Sequence, residues 1–234
     1  EMSKFLSAKS VLKVPMYLGY SEQIIKPQYD PLSPDIQWAD ATRSLTPSER
    51  KARMKELRTY SRRRSINFTN IHKEKPQGNR TEHFYDLSNL GLSYAYGDQE
   101  YHDVNTQYDN IRTYNGGLTY QHNPRPRPVK PFENIGFISN SKWLRMVKDF
   151  NFNLGFKQIT AQSTVFRSYE ERLIRPNPDI ESLPPTPTYN KAFNWNNQYG
   201  FRYEISKSLK LDFNGNSSAI IGEPAGLLYA DDHD

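Results

Sequence analysis

Phe193-Asn194-Trp195-Asn196-Asn197-Gln198-Tyr199-Gly200-Phe201-Arg202-Tyr203-Glu204-Ile205-Ser206-Lys207-Ser208-Leu209-Lys210-Leu211-Asp212-Phe213-Asn214 is the stretch on which the fold turns. Phe193, Trp195, Tyr199, Phe201, Tyr203 and Ile205 share one parity, while Asn194, Asn196, Gln198, Gly200, Arg202 and Glu204 hold the other. A minimal turn at Ser206 to Ser208 returns the chain through Leu209, Leu211 and Phe213, which alternate with Lys210, Asp212 and Asn214. Side chains of a strand point alternately to opposite sides, so each arm presents one apolar and one polar face. Two long arms joined by a two- or three-residue turn have the proportions of a transmembrane β-hairpin. The aromatic residues gather mainly at one end, as an interfacial girdle does.

The same alternation recurs upstream. Leu12, Val14, Met16, Leu18 and Tyr20 alternate with Lys13, Tyr17, Gly19 and Ser21. About 9–11 residues suffice for a membrane-spanning strand, so this one is long enough. Pro15 removes a ladder donor and predicts an edge or a bulge there. Ser65 to Ile71 resumes the pattern, and Leu90, Leu92, Tyr94 and Tyr96 continue it, followed by a tight connection around Gly97 to Asp103. A very long strand follows, with Val104, Thr106, Tyr108, Tyr114, Leu118 and Tyr120 on one parity; a more weakly patterned strand covers about 157–172. Several of these strands run to 12 residues or more, whereas globular strands average about 5–6. A soluble β-sandwich would alternate too, but over shorter stretches.

Composition agrees. Only 35% of the 234 residues are hydrophobic while 13% are aromatic, and mean hydropathy is −0.86. Disordered chains are polar but poor in aromatics. A wide barrel is apolar only on its lipid side, with a polar lumen and solvated loops. The chain has no cysteine, which excludes a disulfide framework, a thiolate metal site and a cysteine nucleophile. It contains no run of 18 apolar residues, and Glu1 to Ser10 lacks the charged start and apolar stretch of a signal peptide. An outer-membrane protein carries such a peptide before processing, so the expectation is a mature chain or a fragment, and a start almost directly in a strand with an acidic end favours the fragment.

Between the strand ending near Gln23 and the next one lies a long insertion, about residues 23–63. Thr46-Pro47-Ser48-Glu49 carries a cap residue, a proline at the first helical position and a glutamate three residues on, which predicts a helix over about 47–60. Its apolar stripe is only Met54, Leu57 and Tyr60, so it should be largely exposed. This basic loop helix concentrates charge: Arg50, Lys51, Arg53, Lys55, Arg58, Arg62, Arg63 and Arg64 against Glu56 alone, a local +7 in a chain whose net charge is +5. Clustered cations suit phosphate, but no nucleic-acid-binding motif accompanies them, so nucleic acid is not an expected partner. A solvated helix is the plainer reading, with contact to anionic lipid headgroups or a partner as the alternative. Lys142 to Lys148 predicts a second, short amphipathic helix.

The segments Arg64-Ser65-Ile66-Asn67-Phe68-Thr69-Asn70, Tyr85-Asp86-Leu87-Ser88-Asn89, Leu92-Ser93-Tyr94-Ala95-Tyr96, Val147-Lys148-Asp149-Phe150-Asn151-Phe152, Asn197-Gln198-Tyr199-Gly200-Phe201-Arg202-Tyr203 and Ser208-Leu209-Lys210-Leu211-Asp212-Phe213 resemble, in order, the SprA/Sov family. That family forms the outer-membrane translocon of the type 9 secretion system of Bacteroidetes, required for secretion and in many species for gliding motility. The resemblance implies a very large outer-membrane pore passing folded cargo proteins. It also implies a lateral opening covered by a PorV-like partner barrel, and a periplasmic plug protein. It carries no short active-site motif that could be mapped onto these residues.

No catalytic, cofactor or metal site emerges. The five histidines lack metal spacing, and Glu170 and Glu171 are adjacent, so on a strand they face opposite ways. Asp231, Asp232, His233 and Asp234 read as an acidic end. Gly116-Gly117 has no phosphate-loop context and reads as a bulge or close backbone approach. The expectation is an all-β chain, an antiparallel transmembrane β-barrel segment of about seven strands over residues 1–222, interrupted by the 23–63 insertion and followed by a 223–234 tail. Leu12, Val14, Met16, Leu18, Leu92, Tyr94, Phe193, Trp195, Tyr199, Phe201 and Tyr203 are its lipid- or partner-facing residues. Two rivals remain: a TonB-dependent-type nutrient uptake barrel, and a soluble surface adhesin or glycan binder rich in β-structure.

Overall fold

The computed structural model describes residues 12–74, 83–124, 127–129, 152–176, 184–206 and 209–224. The period-two segments all become strands: β1 (Leu12–Lys13), β2 (Met16–Ile25), β5 (Thr59–Lys73), β6 (Leu90–His102), β7 (Thr106–His122), β10 (Gln158–Ile174), β11 (Thr188–Glu204) and β12 (Lys210–Ile221). They form one antiparallel sheet in the order β2-β5-β6-β7-β10-β11-β12, with β1 continuing the β2 edge. Seven staves result, each paired with its neighbour in sequence, so the sheet is a meander. It is open: β2 and β12 are its two edges. The smaller pairs are β3 (Tyr29–Asp30) with β4 (Ser33–Gln37), and β8 (Arg127–Val129) with β9 (Phe152–Leu154).

Pro15 sits where the edge stave is interrupted. Opposite it, β5 carries one extra residue relative to both neighbours, since Lys13 pairs with His72 and Met16 with Phe68 on one side, and Phe68 pairs with Tyr94 and Ile71 with Leu92 on the other. The extra residue is Asn70, at φ 50°. Asparagine tolerates this left-handed conformation because its short polar side chain costs little there. The bulge keeps Ile66, Phe68 and Ile71 on one face despite their uneven spacing. Gly116-Gly117, by contrast, lies in unbroken register with β6 and β10. Gly116 has open space where a Cβ would go, so neither a bulge nor a close approach explains this pair.

The insertion is shorter than its sequence suggests. β2 runs to Ile25 and β5 starts at Thr59, leaving residues 26–58 for the β3–β4 hairpin, a single helical turn α1 (Trp38–Ala41) and the helix α2 (Pro47–Leu57). The capping box predicted at Thr46 is present, with the Thr46 N–H donating to Glu49 Oε2 at 2.8 Å and the Glu49 N–H donating to Thr46 Oγ1 at 3.4 Å. Arg58 ends the helix, so Arg62, Arg63 and Arg64 lie on β5 and not on the loop helix. The connection placed around Gly97 to Asp103 is likewise later and tighter: Gly97 to His102 belong to β6, and the turn is Asp103 to Asn105. The short helix expected at Lys142 to Lys148 and the acidic end lie outside the described residues.

Burial is sparse. Among the described residues the buried large apolar side chains are Leu57, Tyr60 and Tyr169. Thr42 and Asp30 of the insertion are buried as well. The sheet has no second layer over either face among the described residues, and its apolar side chains stand exposed, Leu18 at 69% and Phe213 at 58%. No described helix is long and apolar enough to cross a membrane, which says nothing about crossing by strands.

Candidate functional site: the two faces of the sheet

Residues directly opposite one another in an antiparallel pair share a face, so register alone sorts every side chain. Met16, Phe68, Tyr94, Gly116, Val165, Trp195 and Ala219 form one row across all seven staves. The next row is Leu18, Ile66, Tyr96, Tyr114, Arg167, Phe193 and Ile221. Towards the other end of the strands, Leu92 and Leu118, then Tyr199, Phe201 and Tyr203 with Leu211 and Phe213, continue the same face. The residues singled out from parity in different strands therefore converge on one apolar face: Leu12, Val14, Met16, Leu18, Leu92, Tyr94, Phe193, Trp195, Tyr199, Phe201 and Tyr203.

That face ends abruptly at one height. One row beyond Leu18 and Ile66 come Tyr20, Arg64, Asp98, Arg112, Tyr169 and Lys191. Arg64 grips Asp98 through Nε at 3.0 Å and Nη2 at 2.6 Å, and Arg112 lies 3.8 Å from the same carboxylate. Arg62 pairs with Glu100 in the following row, and Arg167 makes a two-pronged contact with Glu223 at 2.6 and 2.8 Å. Parity readings could not find these pairs, because each depends on which residue of the next strand lies opposite.

The opposite face is built of amides, hydroxyls and glycine. Across β6, β7, β10 and β11 one of its rows is Gly97, Thr113, Ser168 and Ala192, and the row nearest its other end is Gln121, Thr160, Gly200 and Asn214 across β7, β10, β11 and β12. Here glycine has a steric role: a Cβ on Gly200 would stand 2.4 Å from Thr160 Oγ1. Glu170 and Glu171 fall on opposite faces, the first accepting from Asn190 Nδ2 at 3.3 Å and the second from the Tyr108 hydroxyl at 3.0 Å.

The insertion docks at the charged end. Arg53 reaches the buried Asp30 at 3.0 Å, Arg50 donates to the Thr42 carbonyl at 3.0 Å, and Arg58 lies over the Tyr60 ring, which stacks on His102. Arg175, following β10, closes on Glu56 of α2. Arg63 donates to Gln99 at 2.9 Å. Most of the basic cluster is thus satisfied inside the chain; Lys51, Lys55 and Arg58 are its members without a side-chain ion pair or hydrogen bond among the described residues, and Arg58 rests instead on the Tyr60 ring. Three carboxyls outside the strands are held below the usual carboxylate range, Glu223 by its hydrogen bond from Arg167. Glu49 is lowered by hydrogen bonds from the Thr46 hydroxyl and backbone. For Asp103 burial pushes upwards, but donation from the Tyr101 hydroxyl and from the Thr106 and Asn105 amides outweighs it. Among the described residues no group of three or more His, Asp or Glu side chains forms a metal-binding cluster.

Residues 1–42 match the model of the SprA N-terminal family, described as a motility related/secretion protein. None of the six sequence blocks that suggested this family falls within that stretch, so the resemblance is borne out independently over the N-terminal region. No curated protein matches the chain.

Proposed function

We propose that this chain, whose N-terminal region is that of the SprA family, forms part of the wall of a large outer-membrane pore. This pore translocates folded proteins in type 9 secretion of Bacteroidetes and supports gliding motility. The observation that carries the reading is the pairing of faces: a seven-stave antiparallel meander with an exposed apolar belt on one side and amides and hydroxyls on the other. A free-standing sheet of this kind would leave Leu18, Phe213 and their neighbours in water; hydrocarbon on one side and a wet lumen on the other accommodates both faces. The abrupt row of Arg64, Asp98 and Arg112 is suited to the headgroup boundary, where polar groups are rehydrated.

Closure follows from strand direction. Seven alternating staves leave β2 and β12 running the same way, so they cannot pair antiparallel with each other. Hydrocarbon offers no partner for an unpaired backbone edge, so the proposed wall takes an odd number of further strands between them. Partners fit the same scheme: a PorV-like barrel against the apolar face, a plug protein at the periplasmic mouth, cargo in the lumen, and lipopolysaccharide around the rim.

Photo-crosslinking in living cells tests this reading. A photoreactive residue at Asn196 or Gln198 of the full-length protein should give adducts with exported proteins, and one at Tyr199 or Trp195 should give adducts with lipid or a membrane partner. Cargo adducts from Tyr199 alone, with export intact, would contradict it.

A further inference from the structure

The middle of the polar face holds no charge. About a quarter of the chain is charged, 24%, yet from β6 to β12 no Asp, Glu, Lys or Arg stands on that face between the row through Gly97 and Thr113 and the row through Thr160 and Asn214. Instead the band is dominated by side-chain amides and hydroxyls, with Phe166 and Ile220 as its large apolar members. Two shallow recesses open on it. One, of about 460 Å³, is walled by Thr119, Thr160, Gln162, Gln198 and Asn216; the other, of about 400 Å³, includes Asn67, Thr113 and Asn115 and extends past the band to Arg63 of β5.

The charges that bound the band are mostly partnered in place. At one end Glu170, the first charge past Ser168, accepts from Asn190 Nδ2 at 3.3 Å, and beyond it Asp109 pairs with Arg172 at 3.1 Å. At the other, Arg202 pairs with Asp212, and Lys157 with Glu204 at 2.6 Å. On the apolar face of the same strands Arg167 stands within these heights, paired with Glu223, and Asp98, Arg112 and Lys191 stand one row beyond, so these strands do not lack charge as such. It is one face, at one range of heights, that carries none.

We infer that this band is a charge-indifferent contact surface for polypeptide. A surface of fixed charges holds proteins of opposite sign and repels those of like sign, over distances comparable to the Debye length. Amides and hydroxyls bind water and exchange it without preference for sign, so a hydrated protein surface of either net charge meets the same wall. The residues that set this property are Gln162, Gln198, Asn196, Asn216, Thr160 and Thr164. The inference rests on the polar face lining a wet lumen, and its test separates the two.

The chain contains no cysteine, so Gln162→Cys, Gln198→Cys or Asn216→Cys each introduces the sole thiol of this segment into the full-length protein. Each variant, in outer membranes, is reacted with an anionic sulfonatoethyl and a cationic trimethylammonioethyl methanethiosulfonate, and rates are normalised to the same reagents on a free thiol. The expected result is reaction with both reagents at normalised rates that agree within a few-fold. A control carrying Gln198→Lys beside Gln162→Cys should favour the anionic reagent by roughly tenfold, the lower range of electrostatic focusing in a cleft. Reaction with both reagents but a tenfold preference in the cysteine variants would overturn charge indifference while leaving the lumen reading standing. Failure of both reagents to reach the thiols would overturn the lumen reading itself, and the inference with it.

Discussion

The guanidinium of Arg175, just past the end of β10, contacts both the carboxylate and the backbone carbonyl of Glu56 on α2. The insertion leaves the sheet between β2 and β5, yet this clamp fastens it three staves further along, against the turn joining β6 to β7, where Arg175 also donates its backbone N–H to the Asn105 carbonyl at 2.8 Å. The pair is half-exposed at Glu56, so its worth is that of a surface ion pair, about 0.2–1 kcal/mol. Arg175→Ala is expected to raise hydrogen exchange across residues 47–57 several-fold and leave exchange in β6 and β7 unchanged. A loss of protection throughout the sheet would show that the clamp holds the wall and not the insertion.

Adjacent residues on opposite faces give the energetic test. Tyr199→Arg places a cation on the apolar face near the middle of the belt in β11, and Gln198→Arg places one on the polar face. Arginine on the lipid side of a barrel costs about 2–4 kcal/mol at the bilayer midplane, whereas lumen substitutions cost little. Urea titration of the full-length protein in lipid vesicles should show that difference. Equal costs at the two positions would contradict the face assignment.

Asn70 is where the ladder of β5 is broken. Its φ of 50° is a conformation that a β-branched residue adopts only under strain, worth about 1–2 kcal/mol. Its N–H donates to Ser93 Oγ at 3.0 Å. Asn70→Val should therefore destabilise by at least that amount, while Asn70→Gly should lie within about 0.5 kcal/mol of the parent. The two chemical-denaturation midpoints check this; a neutral valine would mean that the backbone relaxes out of the bulge.

Glu49 supplies a pH dependence confined to the insertion. Its folded pKa is depressed, so its stabilising contribution is present above the unfolded carboxylate value and is lost as pH falls through the lower folded value. The Thr46 amide, which donates to Glu49 in the capping box, should lose hydrogen-exchange protection in that acidic window. Glu49→Gln, which keeps an acceptor but no charge, should remove the pH dependence and retain part of the protection.

Much of this arrangement is legible in the amino-acid sequence. Period-two alternation in Phe193 to Phe213 and in Leu12 to Tyr20 depends only on the pleat, so strand and face can be read from one segment at a time. The ladder break is legible only as far as Pro15, which cannot donate; its neighbour β5 absorbs the mismatch at Asn70, with the Thr69 N–H reaching the Pro15 carbonyl at 3.2 Å. Gly116-Gly117 misleads because a glycine pair inside a strand looks like a bulge, whereas the irregularity follows the missing donor. The basic cluster misleads for a related reason. Helix and strand periods both accommodate Arg58 to Arg64, and only the cross-strand acids Asp98 and Glu100 decide that Arg62 and Arg64 belong to β5. The uncharged polar band requires five strands in register and is invisible in any single one.

The central claim is that one face of this sheet meets hydrocarbon and the other meets water. Spin labels placed singly at each position from Asn194 to Tyr203 in the full-length membrane-embedded protein measure it directly, through collision with oxygen and with a water-soluble nickel chelate. Trp195, Tyr199, Phe201 and Tyr203 should favour oxygen, and Asn194, Asn196, Gln198 and Arg202 should favour the nickel chelate, with a period of two along β11. Uniform access to the nickel chelate at every position, with no alternation, would contradict the claim that this sheet is a membrane wall.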